Sequence, residues 1–327
     1  MEMSNLQNLI SPPILFFILG MLATWTRSDL KLPESISKFL SFYLMMSIGF
    51  QGGVELSHSG FQVQVLTILL VASAAAALVP VWSFFVLRMK LDVENAAAIA
   101  ATYGSISAVT FVTAVGVLQA VEIPYSGHMI AAMAVMESPA IVVGVLLARG
   151  FVRRSEAGEG VESQSSWGSV IRESVLSGPI VLLVGSLMIG MVTGNAGWES
   201  VRPVFGDPFK GVLTLFLLDM GTHAARHLVQ IPKACTFLIV FALIAAVVNG
   251  CIGLMASHMM HLSKGDALLL TVLFGSASYI AVPAAARVAL PKSNPGLYMP
   301  MSLGITFPFN VMIGIPLYLA VINRIWQ

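Results

Sequence analysis

The chain alternates long apolar runs with short polar turns, the runs falling at 13–27, 35–56, 61–87, 93–120, 125–149, 177–194, 209–227, 234–258, 265–289 and 297–322. A helix needs about 20 predominantly apolar residues to cross a bilayer. The pattern therefore predicts an all-α integral membrane protein of about ten transmembrane helices. A motif then recurs: Gly104-Ser105-Ile106-Ser107-Ala108-Val109 in the fourth run returns as Gly275-Ser276-Ala277-Ser278-Tyr279-Ile280 in the ninth. Ser11-Pro12-Pro13 is answered by Ser177-Gly178-Pro179, and Glu137-Ser138-Pro139 by Thr306-Phe307-Pro308. The offset stays near ~170 residues, so the chain reads as two tandem halves. We expect a first five-helix repeat over 1–150, a cytoplasmic linker over 151–176 and a second five-helix repeat over 177–327. Five spans per half is an odd number, so the second half enters the membrane inverted.

Both copies of the motif place small polar residues in the middle of a span. Lipid leaves backbone polar groups no partner, so a helix breaks only beside protein or a watery cavity. Interrupted helices four and nine are therefore predicted, the second helped by Pro283, which lacks an N–H. Two facing breaks aim two half-helix N-termini at one small volume, and partial positive charge there suits a small anion. Gly104, Ser105, Ile106, Ser107, Gly275, Ser276, Ala277, Ser278 and Tyr279 are the candidate substrate-binding residues. Close helix packing also uses Gly and Ser, but recurrence at matching positions of two halves points to a transporter site.

Ionisable residues inside apolar runs are functional candidates by default. Glu137, followed by Ser138 and Pro139, sits at mid-depth in the fifth run and could ligate Na⁺ or carry a proton. Thr306 and Asn310 occupy the corresponding place in the tenth run, and Thr102 and Thr110 flank the first break. These six residues are the candidates for Na⁺ binding or coupling. Asp219 has His223 and Arg226 at helical spacing and reads as a structural pair.

Composition agrees: 57% of the 327 residues are hydrophobic and 10% charged, against roughly 25% charged in a soluble chain. A net charge of +1 gives no basic patch for nucleic acid. Cys235 and Cys251 read as buried packing residues. No nucleophile–base pair or metal cluster stands at membrane depth, so an enzyme is not expected. With the N-terminus outside, the inner loops collect all of the 17 Lys and Arg residues except Arg202, Lys210, Lys264 and Arg324. The positive-inside rule thus places both termini on the periplasmic or extracellular side of the plasma (inner) membrane.

Leu32-Pro33-Glu34-Ser35-Ile36-Ser37-Lys38, Ile48-Gly49-Phe50-Gln51-Gly52-Gly53, Arg172-Glu173-Ser174 ahead of Gly178-Pro179, and Ser293-Asn294-Pro295 together resemble the sodium-dependent bicarbonate transporters of cyanobacteria and their bacterial relatives. The resemblance runs along nearly the whole chain. It implies ten helices in inverted repeats, a homotrimer, Na⁺-coupled bicarbonate uptake and regulation by a cytoplasmic PII-like protein. The chain departs from the cyanobacterial pattern at Tyr279, where those proteins carry an acid, and at Ser47, where they carry a lysine. Glu137 keeps a carboxylate where they have Asp. The inter-half linker is shorter. The expectation is a secondary transporter of bicarbonate or a similar small anion with Na⁺ as coupling ion. A proton-coupled carrier of another small carboxylate and a non-transporting membrane sensor stand as alternatives.

Overall fold

The computed structural model describes residues 12–30, 32–59, 63–155, 178–229 and 236–326. Ser11, Ser177, Lys31, Lys233, Cys235, the Arg172-Glu173-Ser174 motif and the linker from 156 onward lie outside the described residues. Among the described residues every regular element is a helix. In chain order these are α1 (Pro12–Trp25), α2 (Glu34–Ser59), α3 (Val63–Leu87), α4 (Val93–Gly104), α5 (Ala108–Ala120), α6 (His128–Ser155), α7 (Gly178–Phe205), α8 (Phe209–Val229), α9 (Thr236–Met259), α10 (Lys264–Gly275) and α11 (Ala281–Ala289). The last, α12 (Pro295–Ile325), is continuous but widens twice into π-helical turns, at Pro300–Thr306 and Asn310–Gly314. Pro300 and Pro308 each remove a backbone donor from this span, and wide turns absorb such mismatches.

Among the described residues six stretches are long and apolar enough to cross a membrane: α3, the α4–α5 pair, α9, α12, His128–Phe151 in α6 and Val181–Phe205 in α7. Apolar α1 is shorter. The predicted runs 35–56, 209–227 and 265–289 are helical as α2, α8 and the α10–α11 pair. Helix α7 continues well past the predicted end at 194. Gly194, at φ 57° and ψ −153°, kinks the chain there and lets a second helical piece follow. Helix α6 likewise extends through Ser155, beyond the expected start of the linker. Cys251 corrects another expectation, being exposed. The buried stripe of α9 runs through Phe241, Ala245, Asn249 and Gly253, which turns Cys251 outward.

Packing is reciprocal between the halves. Helix α1 lies along α8 as α2 lies along α7, α3 packs on α4 and α6 as α9 packs on α10 and α12, and α4 meets α6 as α10 meets α12. One group thus comprises α1, α2, α7 and α8, and a second comprises α3–α6 with α9–α12. Of the six candidate spans the broken pair α4–α5 is the most buried, at 94% of its most apolar window against 17% for Val181–Phe205 in α7. Glycines set the crossings in the first group. A β-carbon at Gly20 would strike the Leu218 carbonyl and one at Gly221 the Phe17 carbonyl. Gly53 and Gly190 stand in the same relation to the Leu187 and Phe50 carbonyls. Backbones approach this closely only where side chains are absent.

The second group is pinned at both ends by matching devices. Asp92 caps α4 by accepting the Asn95 N–H at 2.9 Å. Glu94 and Asn95 in its first turn accept from the N–H groups of Lys292 (2.8 Å) and Asn294 (2.7 Å), in the loop after the other broken pair. Ser263 caps α10 by accepting the Asp266 N–H at 3.1 Å. Asp266 in turn accepts from the Ser126 N–H (2.7 Å) and Oγ (2.8 Å), in the loop after α5. Each half therefore holds the other's broken helix in place.

Candidate functional site

Breaking a helix in mid-membrane strands four carbonyls on the side where the first piece ends and four N–H groups on the side where the second begins, and here part of that deficit is met by the opposite break. Helix α4 ends at Gly104, tight against Pro80 of α3 and Ala140 of α6. Helix α10 ends at Gly275, where a β-carbon would come within 2.9 Å of the Ala246 carbonyl on α9. Across the gap, the Ser107 N–H donates to Ser276 Oγ at 2.9 Å, and Ser276 Oγ donates to the Leu273 carbonyl at 3.0 Å. The Ser278 N–H donates to the stranded Thr102 carbonyl at 2.9 Å. Asn310 Nδ2 on α12 donates to the Gly275 carbonyl at 2.9 Å. The two chains cross here and knit together.

New helices begin on the far sides of the breaks. Ser107 caps α5, its Oγ accepting the Thr110 N–H at 3.2 Å. Ser278 Oγ accepts the Val282 N–H of α11 at 3.4 Å. Pro283 falls in the first turn of α11, where an N–H would have no helical partner. The first N–H groups of both helices are free of intrahelical bonds and carry the positive ends of their dipoles.

A cavity of about 20 Å³ lies at these two N-termini, room for about one water molecule. Ile106, Ser107 and Ala108 line it from the first break, Ser278, Tyr279 and Ile280 from the second, and Met133 and Glu137 from α6. Met45 of α2 and Leu183 of α7 close it. The cavity thus sits on the seam between the two helix groups. Glu137 is 9% exposed and its backbone carbonyl accepts from Ser105 Oγ at 3.4 Å. Glu137 lines the same space as the two serine residues. Tyr279 reaches toward Met220 of α8, hydroxyl to sulfur 4.0 Å, and packs on Phe307 of α12.

Of the predicted substrate residues, Ile106, Ser107, Ser278 and Tyr279 line the cavity, whereas Gly104, Ser105, Gly275, Ser276 and Ala277 are buried around it. The polar atoms of Ser105 and Ser276 are engaged in holding the breaks. Of the predicted cation residues, only Glu137 lines the cavity. Ser138 is half-buried on the turn beside it. Thr102 Oγ1 donates to the Ala98 carbonyl at 2.8 Å, and the Thr306 hydroxyl bonds that of Tyr103 at 2.8 Å. Thr110 Oγ1 and Asn310 Oδ1 are buried without a hydrogen-bond partner. Met45, Ala108, Met133, Leu183 and Ile280 were not among the expected residues. Apart from Ala108 and Ile280, which continue the recurrent motif, they are apolar residues within apolar runs and carry no sequence signal.

Long apolar helices, two of them replaced by broken pairs that cross in the buried centre, define a multi-pass membrane protein. The particular lineage follows from the chain's length as a whole: it belongs to the Na⁺-dependent bicarbonate transporter superfamily, whose family model matches residues 12–323. No curated protein matches the chain in sequence.

Proposed function

We propose that the chain is a secondary active transporter that takes up bicarbonate or a similar small anion together with Na⁺, with its anion site at the cavity between Ser107 and Ser278. The observation that carries this reading is the convergence of two half-helix N-termini, two serine residues and one carboxylate on a single buried space at the seam. Hydroxyls and backbone N–H groups there would receive the anion. Glu137 supplies the reason for coupling. An anion beside a buried carboxylate is repelled unless a cation or a proton accompanies it, so loading becomes conditional on the second ion. Na⁺ takes its oxygen ligands from Glu137 and, as the walls part, from Ser138, Thr102, Thr110, Thr306 or Asn310.

Alternating access is the second element of the proposal. The cavity holds no more than a water, so a bicarbonate ion enters only when Met45 and Leu183 separate from the broken helices. Reciprocal contacts between the halves support an inverted repeat, the architecture suited to two mirror-related openings. The family resemblance supports ten spans and a homotrimer. The distribution of Lys and Arg supports external termini in the plasma (inner) membrane. A PII-like regulator would meet the 151–176 linker.

The test is ¹⁴C-bicarbonate uptake into proteoliposomes at constant pH, with and without an inward Na⁺ gradient. Gradient-driven uptake is expected, and Ser107→Leu or Ser278→Leu, folded and inserted, should reduce it at least ten-fold. Uptake equal to that of empty liposomes would sink the reading, as would full activity in both leucine variants.

A further inference from the structure

Outside the cavity, Asp219 is the one buried acid at membrane depth among the described residues that the proposed mechanism leaves idle. It is 1% exposed, its Oδ1 lies 3.7 Å from His223 Nε2, and its Oδ2 is buried with no hydrogen-bond partner. His223 is one helical turn further along α8 and its side chain is 33% exposed. His227 follows one turn later, close enough to feel the charge of His223, with its Nδ1 buried and unpartnered. Residues four apart lie on one helix face, so the three form a file from the middle of α8 to the end that carries Arg226. A buried carboxylate with an orphaned oxygen is costly to keep ionised. An imidazole in reach of it is a ready proton donor.

On α8 itself Arg226 stands three residues beyond His223, and the neighbouring helices bring further groups. Helix α1 brings no titratable group to α8 before Arg27 and Asp29 beyond its end. Helix α2, which also packs on α8, carries Glu34, Lys38, Tyr43 and Glu55, and the Tyr43 hydroxyl donates to the Val204 carbonyl ahead of the Phe209 end of α8. Helix α12 contributes Tyr298, Tyr318 and Arg324, Tyr279 touches Met220, and α5 contributes none.

We propose that Asp219, His223 and His227 form a proton-binding line in α8, loaded from water at the Arg226 end and terminating at Asp219. The step is a single proton transfer: protonated His223 gives its proton to the Asp219 carboxylate, leaving neutral imidazole and neutral carboxylic acid, and water at the exposed end reprotonates His223 directly or through His227. Neutralising Asp219 removes a buried charge from the helix whose next residue, Met220, meets Tyr279 at the cavity wall. The transporter is thereby made sensitive to pH on the side where Arg226 lies. This role rests on the transport reading. The proton site itself does not.

The experiment separates the two. The full-length protein in lipid nanodiscs, without substrate, is taken through pH-difference infrared spectroscopy. A carboxylic-acid carbonyl band is expected that disappears in Asp219→Asn. In His223→Gln the pH dependence of the band should change, because the imidazole 3.7 Å from Asp219 Oδ1 is gone. A spectrum unchanged in Asp219→Asn, or a midpoint unmoved in both His223→Gln and His227→Gln, overturns the proposal. The more exposed His223 is a safe site should Asp219→Asn fold poorly. In proteoliposomes, uptake by the parent protein should vary with pH on the Arg226 side, and His223→Gln should flatten that dependence at least three-fold. An unflattened dependence overturns the coupling of the line to transport. Infrared shifts without any bicarbonate uptake by the parent would instead sink the transport reading and leave the proton site standing.

Discussion

Glu137 carries the strongest chemical consequence of any single residue, because it shares a buried space with two helix N-termini that favour anions. Glu137→Gln keeps the shape and removes the charge. We expect the Na⁺ dependence of uptake to collapse, with uptake at saturating Na⁺ down at least ten-fold, measured as initial ¹⁴C-bicarbonate rates across a Na⁺ series. Retention of the parent Na⁺ dependence would remove Glu137 from the cation site. Glu137, Ser107 and Ser278 were legible in the sequence for one reason: polar groups in the middle of an apolar run are costly and need a purpose. Their division of labour was not legible. Ser276 and Ser107 stand in equivalent-looking motifs and both spend their hydroxyls on backbone, Ser276 on the Ser107 N–H and the Leu273 carbonyl and Ser107 on the Thr110 N–H, yet of the two Ser107 alone lines the cavity. Met45 and Leu183 were invisible, since an apolar residue that closes a site looks like one that faces lipid.

Among elements, the breaks at Ser105–Ser107 and Ser276–Ile280 were readable from small polar residues and Pro283. The second piece of α7 and the widened turns of α12 were not. Gly194 reads as an ordinary membrane-helix glycine until its positive φ is seen, and a π turn keeps the same apolar composition as an α turn. The glycine crossings yield a sharp prediction. A side chain at Gly190 meets the Phe50 carbonyl, which cannot swing aside as a side-chain terminus can. Gly190→Leu should therefore separate α7 from α2, at a cost above the 1–3 kcal/mol typical of overpacking. Its thermal midpoint in detergent should fall clearly, whereas Gly185→Leu, where a β-carbon meets nothing within 4 Å, should stay near the parent. Equal midpoints would dismiss the crossing as a packing determinant. The clamp at Asp266 is testable on the same scale. Asp266→Ala removes two hydrogen bonds to Ser126 and strands its N–H, for an expected loss of about 2–4 kcal/mol in chemical unfolding. Asp266→Asn should lose less, since an amide oxygen can still accept the Ser126 N–H.

Across the whole molecule, the decisive feature is where stiffness and softness lie. The group α3–α6 with α9–α12 is tied together by the mutual bonding of the two breaks and by a clamp at each end, so its parts resist separation. The seam toward α1, α2, α7 and α8 is different at the cavity: Met45 and Leu183 meet the broken helices through apolar contacts alone. A motion that opens the cavity thus follows the seam and leaves the crossing intact, since parting the crossing would expose Ser107, Ser278, Asn310 and their backbone partners at membrane depth. Tying the seam shut should stop transport without unfolding anything. In a background with Cys235 and Cys251 replaced by Ser, Met45→Cys and Ala108→Cys place thiols on opposite walls of the same small cavity. A short thiol-reactive bifunctional linker should reduce uptake to the level of empty liposomes, and reductive release should restore it. Each single-cysteine protein treated alike should retain most of its activity. Full uptake in the linked protein would mean that α2 and the broken helices travel together, and the moving boundary would then have to lie elsewhere in the bundle.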